Sequence, residues 1–391
     1  MGFKKNAPMS DWEHLKTVLN DLKAGDLLRT PAVLDSPVGA RVVVGGREVV
    51  CLCSNDYLGL AADEAVKAAA IEAINTWGVG AGASRLVSGT LQVHQQLEQR
   101  LAAFKGAQAA VVTSTGWMAN HVAICALAGA GDLILCDKLD HASILDAARQ
   151  SRAAVRTYAH GDRGRLRRLL ERHRADYREC LIVTDSLFSM DGDLAPLEEL
   201  VELKNRFDAK LMIDEAHATG VFGQTGRGVA EHLGVDEHID VTVGTLSKAL
   251  GAMGGFVAGP EVVIDVIRNT GRAYMYTTAL PPAMCAAVLA GLDIVRDQPQ
   301  RRQKLLAMAA ELRDRLGAGG LSTLSSASQI IPVVIGGAAE AVAVSGRLLS
   351  EGFLIPAIRP PSVPPGASRL RISLCANHDP QDLARLADVL T

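Results

Sequence analysis

The chain of 391 residues is too long for one ordinary domain and long enough to bury a large core. Hydrophobic residues make up 48% and charged residues 21%, which excludes intrinsic disorder, and no apolar run is long enough to predict a membrane span. The net charge of −3, without a Lys/Arg block that carries interleaved aromatics, argues against nucleic acid as a partner, because phosphate binding needs a basic surface.

The N-terminal segment has two lysines but no apolar stretch behind them, so it does not resemble a secretory signal, and we expect a cytoplasmic protein. Ser10 and Glu13 form a capping box before an amphipathic run that ends near Gly25, which predicts an arm helix. Strands are predicted over residues 41–53, interrupted at the Gly45–Gly46 pair.

The seven cysteines are odd in number and scattered through apolar segments, which indicates buried free thiols in a reducing compartment. Cys51 and Cys53 form a C-x-C pair that is compatible with a metal site. No second Cys/His cluster completes a ligand set, and alternation along a strand explains the pair more simply. We therefore predict no metal centre.

From about residue 109 the chain alternates short apolar runs with longer periodic ones. Strands are predicted at 109–115, 133–137, 180–186, 209–215 and 240–245. Helices are predicted at 60–77, 91–104, 117–129, 142–150 and 196–207, and a glycine-rich loop spans 78–89. Alternation of this kind implies a parallel sheet covered by helices.

After about residue 290 the pattern changes to that of a smaller α+β unit. A basic helical run covers 300–316, and it is followed by a strand at 329–336, a helix at 338–351, a proline cluster at 355–366 and a strand at 369–374. The last helix has Asp379 as its N-cap and Pro380 at its first position. We expect an N-terminal arm and helix over residues 1–45, a large domain over 46–290 and a small domain over 291–391.

Polar residues cluster where the predicted strands end. Ligands of open parallel sheets bind beyond the carboxyl ends of the strands, so residues at these ends are informative. The strand ends supply, in order, Thr115, Gly116 and Trp117; His141; Asp185 and Ser189; Asp214 and His217; Thr245 and Lys248. Singly, each of these is more often a surface charge, a cap or a turn residue. Their placement at successive strand ends indicates a functional site.

These residue types suit chemistry on pyridoxal 5'-phosphate. The amine of Lys248 can condense with an aldehyde, and the carboxylate of Asp214 can keep a pyridine nitrogen protonated. Free amides at the helix start near Gly116, together with the hydroxyl of Thr245, can receive a phosphate dianion. His141 is placed to stack on the ring, while Ser189 and His217 can hydrogen-bond the ring oxygen.

Several long segments resemble a known family. They are CSNDYLGLA (53–61), GAGASRLVSGT (80–90), DHASILDA (140–147), TDSLFSMDGDLAPL (184–197), IDEAHATGVFGQTGRG (213–228) and GTLSKALGAMGG (244–255). The segments are similar to those of the α-oxoamine synthases, which are pyridoxal-phosphate enzymes of fold type I. The resemblance runs from about residue 30 to the C-terminus. It implies an α/β fold like that of aspartate aminotransferase, in which a large domain with a mostly parallel sheet precedes a smaller α+β domain.

The segment AIRPPSVPPGASRLRISL (357–374) is most similar to the biotin-pathway branch of this family. That branch joins L-alanine to a pimeloyl thioester with release of carbon dioxide and the thiol carrier. The resemblance thus implies pyridoxal 5'-phosphate as cofactor and L-alanine with pimeloyl-CoA or pimeloyl-acyl-carrier protein as substrates, and it leaves the carrier open. It also implies a homodimer whose active site is shared across the interface.

The resemblance also implies the roles of individual residues. Lys248 carries the cofactor, His141 stacks on it and assists decarboxylation, and Asp214 pairs with the pyridine nitrogen. The remaining cofactor-binding residues are Gly116, Trp117, Ser189, His217 and Thr245.

The implied substrate contacts come from the two ends of the chain. Arg29, whose match needs a one-residue gap, lies near the acyl substrate, and Arg359 takes the amino-acid carboxylate from a proline-stiffened loop that suits a bidentate clamp. Further matches are Ser362 at a substrate contact, Asn55 in the lining of the pocket, and Thr277 and Thr278 near the phosphate of the partner subunit. Two positions depart from the commoner family residues, Asp185 for Glu and Ser362 for Thr.

Three other functions remain to be weighed. A sibling synthase that uses glycine, such as 2-amino-3-oxobutyrate CoA ligase or 5-aminolevulinate synthase, is disfavoured by the proline-rich loop. A non-catalytic partner subunit should lack Lys248. A nucleotide-binding oxidoreductase is disfavoured because the loop GVGAGA (78–83) follows a predicted helix, whereas a dinucleotide loop follows a strand.

Overall fold

The computed structural model describes residues 12–391. Ser10 of the predicted capping box lies outside these residues. The arm helix runs over Glu13–Ala24 and ends next to Gly25, as predicted. None of its side chains is buried against the rest of the chain.

The described residues form fourteen α-helices and thirteen strands, together with two short 3-10 turns at Arg174–Asp176 and Asp236–His238. The helices are α1 (Glu13–Ala24), α2 (Glu64–Trp77), α3 (Gln92–Lys105), α4 (Gly116–Leu127), α5 (Ala142–Gln150), α6 (Arg163–His173), α7 (Leu197–Arg206), α8 (Val229–His232), α9 (Glu261–Thr270), α10 (Arg272–Met275), α11 (Pro282–Asp297), α12 (Gln300–Ala318), α13 (Ala338–Ser350) and α14 (Pro380–Leu390). The strands are β1 (Arg41–Val44), β2 (Arg47–Cys51), β3 (Ala109–Thr113), β4 (Leu133–Asp137), β5 (Ala154–Tyr158), β6 (Cys180–Asp185), β7 (Lys210–Asp214), β8 (Val241–Thr245), β9 (Gly255–Gly259), β10 (Ile330–Gly336), β11 (Phe353–Leu354), β12 (Ala357–Ile358) and β13 (Ser368–Ser373).

A seven-stranded sheet in the order β3-β9-β8-β7-β6-β4-β5 forms the centre of the molecule. The pairs from β8 to β5 are parallel, whereas β9 runs antiparallel between β3 and β8. Strands β4 and β6 are buried along their whole length because helices cover both faces of the sheet. The predicted mostly parallel α/β sheet is confirmed.

Two apolar cores flank this sheet. Val111, Ile134, Val183 and Met212 point to the face that α4 and α5 cover, while Leu135, Ile182 and Leu211 point to the opposite face. Each such side chain, fully buried, stabilises the fold by roughly 1.5–3 kcal/mol. The alternation of faces along each strand determines which side chains enter which core.

Strand β9 and the β5–α6 unit were not predicted from the sequence. Strand β9 is a short run flanked by glycines, GFVAG, and its pattern alone does not distinguish it from a loop. Strand β5 lies at the edge of the sheet and exposes Arg156 and Thr157, so that its apolar signal is weak. Edge strands commonly carry such charged residues.

Two small sheets complete the structure. In one, β11 pairs in parallel with β2, which also pairs with β1; in the other, β13 lies between β10 and β12. Helix α14 begins at Pro380 with the carboxylate of Asp379 accepting from Gln381 N, as predicted. The three-part domain division stays a prediction. Within residues 12–391, no helix combines the length and hydrophobicity that a bilayer span requires.

Candidate active site

The loop after β8 holds Lys248 in place. Thr245 Oγ1 accepts from Ser247 N at 3.2 Å and donates to Gly254 O at 2.9 Å. Leu246 N donates to the same Gly254 carbonyl at 2.9 Å, so the loop closes on itself. Gly251 has φ +67°, and a Cβ there would lie 2.5 Å from the backbone of Leu60. Lys248 is therefore attached to a loop that has little freedom to rearrange.

Lys248 contacts His217. The two side chains meet with Lys248 Nζ 3.0 Å from His217 Nε2. Burial lowers the pKa of Lys248 to about 8, although Asp214 and Asp185 oppose the shift; the Arg371 guanidinium adds to it. About a tenth of this amine is therefore uncharged at pH 7, and about half at pH 8.

His217 is also held by Tyr57 and Gln329. Its Nδ1 lies 2.6 Å from the hydroxyl of Tyr57, and its carbonyl accepts from Gln329 Nε2 at 2.9 Å. Burial, reinforced by the charges of Lys248 and Arg371, lowers the pKa of His217 well below its usual range. The ring is therefore neutral, with one nitrogen as donor and the other as acceptor.

Asp214 ends β7 and is buried, with 5% of its surface exposed. Its Oδ2 accepts from Asn120 Nδ2 at 2.7 Å, and its Oδ1 accepts from Ala216 N at 2.8 Å. Asn120 lies on the buried face of α4 and also donates to Ser143 Oγ at 2.9 Å. These bonds fix the orientation of the carboxylate.

His141 caps α5 and is anchored through its backbone. His141 N donates to Asp185 Oδ2 at 2.6 Å, while its Nδ1 lies 2.7 Å from Ser143 Oγ. The ring stands edge-on to Trp117 with the centroids 5.9 Å apart. Asp185 lies opposite Asp214 in the β6–β7 register, and burial together with the Asp214 charge raises the pKa of Asp185 well above its usual range.

The start of α4 forms a place for an anion. Thr115 caps the helix by accepting from Met118 N at 3.2 Å, and the amides of Gly116 and Trp117 meet no acceptor among residues 12–391. A Cβ at Gly116 would lie 3.3 Å from Thr245 Oγ1. Because β9 separates β3 from β8, this approach also needs Gly255, where a Cβ would lie 2.6 Å from Gly116 Cα. Free helix-start amides beside hydroxyls are a typical phosphate site.

Asn55 and Ser189 reach this cluster through Arg371. Both terminal nitrogens of Arg371 donate to Asn55 Oδ1 at 3.2 Å, and its Nε donates to the carbonyl of Ser189. Arg371 also donates to Ser373 Oγ at 2.7 Å and is 8% exposed. Among the described residues, no carboxylate forms an ion pair with it, so a buried cation here lacks a counter-ion.

Arg29, Arg359 and Ser362 form a second group. Arg29 Nη2 donates to Pro360 O at 2.7 Å, and Arg359 donates in turn to the carbonyls of Asp26 and Leu28. Ser362 N donates to Arg359 O at 3.1 Å. The structure therefore joins the two predicted arginines to each other through the backbone, and their observed hydrogen bonds do not reach Lys248.

Thr278 pairs with Ser84 of the glycine-rich loop in an isolated β-bridge, and its carbonyl accepts from Ser114 Oγ at 3.2 Å. Thr277 lies next to it in the chain. Their predicted reach to a partner subunit stays a prediction.

Sequence reasoning missed Tyr57, Asn120, Gln329 and Arg371. Arg371 had a partial signal in the sequence, because the arginines of RLRIS alternate with apolar residues and so lie on one face of a strand. The alternation alone predicts that this face is exposed, whereas all six residues of β13 are buried. The other three gave no sequence signal, because the partners that draw them into the site are distant in the chain: His217 for Tyr57 and Gln329, and Asp214 for Asn120.

The grouping offers an amine, an oriented carboxylate and an anion site along one sheet edge. Pyridoxal 5'-phosphate has an aldehyde, a basic ring nitrogen and a dianionic phosphate, which match these three features in kind. The free amides of Gly116 and Trp117 are the observation that favours a phosphate over an uncharged tail.

Comparisons with known proteins agree in family. The model of the aminotransferase class I and II family matches residues 47–390. The 8-amino-7-oxononanoate synthase of Geobacter sulfurreducens is 49% identical over 370 residues, covering 94% of either chain.

Solved structures give the same picture. A variant of the serine palmitoyltransferase of S. paucimobilis, with a bound PLP–myriocin aldimine, is 32% identical with a TM-score of 0.92, covering 98% of both chains. The 8-amino-7-oxononanoate synthase of Francisella tularensis is 26% identical with a TM-score of 0.76, covering 88% of this chain and 96% of the other.

Proposed function

This chain belongs to the aminotransferase class I and II family, and we propose that it joins L-alanine to a pimeloyl thioester, with loss of carbon dioxide, to form 8-amino-7-oxononanoate. Family membership confirms the predicted fold type I and the predicted cofactor, pyridoxal 5'-phosphate. The observation that carries the proposal is the pairing of Lys248 with His217 beside Asp214, in a chain 49% identical to a synthase of this reaction.

The residues at the sheet edge suit the cofactor. Asp214 would hold its pyridine nitrogen, and the amides of Gly116 and Trp117 with the Thr245 hydroxyl would hold its phosphate. His141 would cover the ring, while Ser189 and His217 would contact the ring oxygen. When bound, the cofactor withdraws electrons from the Cα of the amino acid that it carries.

Lys248 handles the proton of the reaction. With a pKa of about 8, its amine is free to accept the Cα proton of alanine at Nζ and to return it later. His217, 3.0 Å away, keeps the amine directed. His141 is the proposed hydrogen-bond donor to the β-keto acid as it loses carbon dioxide.

An arginine receives the carboxylate of the amino acid. Arg359 is the residue that the family resemblance names, and that role stays a prediction. Arg371 is a second candidate because it is buried beside Ser189 and Asn55 without a carboxylate partner among residues 12–391. In exchange for its bonds to Asn55, this guanidinium would form a bidentate bond that orients a substrate carboxylate.

A homodimer is part of the proposal. Large apolar side chains are exposed around the glycine-rich loop, and Val79 and Val87 have 77% and 79% of their surfaces exposed. Further large apolar side chains that are exposed are Ile71, Ile74, Trp77, Leu86 and Tyr276. We infer that these side chains pack against a second copy of the chain, since exposed apolar patches mark protein interfaces. Light scattering coupled to gel filtration should give twice the chain mass of 41.2 kDa.

Borohydride reduction tests the cofactor link. The purified protein should absorb visible light, and reduction should fix the pyridoxyl label on Lys248 in a peptide map. A colourless protein that takes up no label when the cofactor is supplied would refute the proposal.

A substrate matrix tests the reaction. Alanine, glycine and serine are each assayed with pimeloyl, acetyl, succinyl and palmitoyl thioesters, on coenzyme A and on acyl-carrier protein. The serine and palmitoyl arms are included because of the likeness to serine palmitoyltransferase. Alanine with a pimeloyl thioester should exceed every other pair. A glycine pair in first place would instead favour a sibling synthase.

A further inference from the structure

Tyr57 lies at the centre of the site, between His217, Asn55 and Arg371. Its side chain has 0% exposure. Its hydroxyl lies 2.6 Å from His217 Nδ1, 3.1 Å from Asn55 Oδ1 and 3.5 Å from Arg371 Nη2. Backbone bonds at both its amide and its carbonyl hold the residue in place.

The partners of this hydroxyl limit its hydrogen bonds. Arg371 only donates, and it donates to Asn55 Oδ1 as well, so the Asn55 atom is an oxygen that only accepts. The Tyr57 proton therefore has two acceptors to choose from, Asn55 Oδ1 and His217 Nδ1. The other nitrogen of His217 faces Lys248 Nζ.

Two complete patterns satisfy these groups, and only one of them accommodates the ammonium form of Lys248. In that pattern Lys248 donates to Nε2, Nδ1–H of His217 donates to Tyr57, and the Tyr57 hydroxyl donates to Asn55. Loss of a proton from Lys248 opens the second pattern, in which Nε2–H donates to the amine lone pair and Nδ1 accepts from the Tyr57 hydroxyl. The second pattern holds one proton fewer, which leaves for solvent, and His217 is neutral in both.

The electrostatics of the site agree with these states. Burial raises the pKa of the Tyr57 hydroxyl, and the pKa of His217 lies well below its usual range, so both groups are neutral at pH 7. The pKa of Lys248 is about 8. The charged and titratable groups that act on this lysine are Asp214, Asp185 and Arg371, with His217 and His141 beside it.

We propose that Tyr57 is a positioning residue whose hydroxyl sets the tautomer of His217 and thereby the proton affinity of Lys248. The inference rests on the proposed role of Lys248 as the base. Without the hydroxyl, a proton on Nδ1 would be a buried donor with no acceptor, so the ring would keep its proton on Nε2. An Nε2–H cannot accept from an ammonium, and the charged form of Lys248 would lose a hydrogen bond.

The test uses the full chain without cofactor, labelled with 15N-histidine, and follows the His217 tautomer by NMR between pH 6 and 10. The His217→Gln variant assigns the signal. In the wild type, the proton should move from Nδ1 to Nε2 as the pH rises through about 8. In Tyr57→Phe, it should stay on Nε2 throughout.

The proton affinity of Lys248 is measured in parallel from the pH dependence of its reductive methylation, read by mass spectrometry. Tyr57→Phe should lower the pKa of Lys248 by about one to two units, the loss expected for one hydrogen bond to a charged group. Tyr158→Phe, which removes another buried tyrosine hydroxyl, should behave as the wild type.

A wild-type tautomer that does not change with pH would overturn the inference without any variant. So would a Tyr57→Phe protein that keeps the wild-type pH response. Because neither readout needs the cofactor, these failures are distinct from a failure of borohydride to fix the cofactor on Lys248, which would refute the proposed function instead.

Discussion

Two histidines at the same edge of the large sheet have opposite electrostatic surroundings. His217 lies among Lys248, Arg371 and Tyr57, and its pKa is well below the usual range. His160 lies between two carboxylates, with Nδ1 3.2 Å from Asp137 Oδ1 and Nε2 2.8 Å from Asp193 Oδ2. These two bonds raise the pKa of His160 to about 10.

The difference lies in whether charge is balanced within the chain. The His160 cluster pairs its cation with two acids and ties the end of β5 to the loop that carries Ser189. The His217 cluster leaves Arg371 without a counter-ion among the described residues and keeps an amine near its titration point. A balanced cluster suits stability, whereas an unbalanced one is suited to binding an anion and moving a proton.

The largest effect is expected from Lys248→Ala, which removes the titrating amine of the His217 cluster. Turnover should fall by about 10³-fold or more, because the variant lacks both the proposed attachment point of the cofactor and the proposed base. Steady-state assays and the visible spectrum measure this, with circular dichroism as a check on folding. Near-normal activity in the variant would show that the amine is not the base.

Asp214→Asn keeps the shape of the side chain and removes its charge. We expect turnover to fall on the order of 10²- to 10³-fold, because an oriented charge that stabilises the transition state is lost. A pH titration of the cofactor absorbance should shift together with the activity. An unchanged spectrum and rate would place the pyridine nitrogen elsewhere.

Arg371→Gln should raise the KM for alanine by about 10- to 100-fold, the value of a hydrogen bond to a charged group. Removing a buried cation that has no carboxylate partner among residues 12–391 relieves its desolvation cost. This relief offsets the hydrogen bonds lost to Asn55, Ser189 and Ser373, so the free energy of unfolding should change little. Arg359→Gln is the matched variant. If Arg359→Gln alone raises this KM, the carboxylate is bound at the predicted position.

His160→Gln should do the reverse, lowering stability by about 1–3 kcal/mol while leaving the KM for alanine unchanged. The folded pKa of about 10 lies above the ordinary value of 6.5, so the native state binds more protons between these limits. The stabilisation is complete below about pH 6.5 and is lost as the pH rises towards 10. Urea unfolding at pH 6.5, 8 and 9.5 should show the gap between wild type and variant closing. A gap that widens with pH would contradict a charged His160.

The sequence predicted the side chains at the ends of the sheet strands well. Asp214, His217 and Lys248 follow successive apolar strands, and parallel strands bring their carboxyl ends to one edge whatever the loops do. The contact between Gly116 and Thr245 depends instead on β9, an antiparallel strand that the pattern did not reveal.

By itself the sequence determined the family, because long ordered segments carry the resemblance. It also determined the fold class and the polar side chains that follow the strands, because hydrophobic periodicity is a local property of the chain. Only the tertiary structure decided that Tyr57, Gln329 and Arg371 close around His217. Those contacts join residues 112 to 314 positions apart across separate sheets, and no local pattern encodes which buried polar groups will meet.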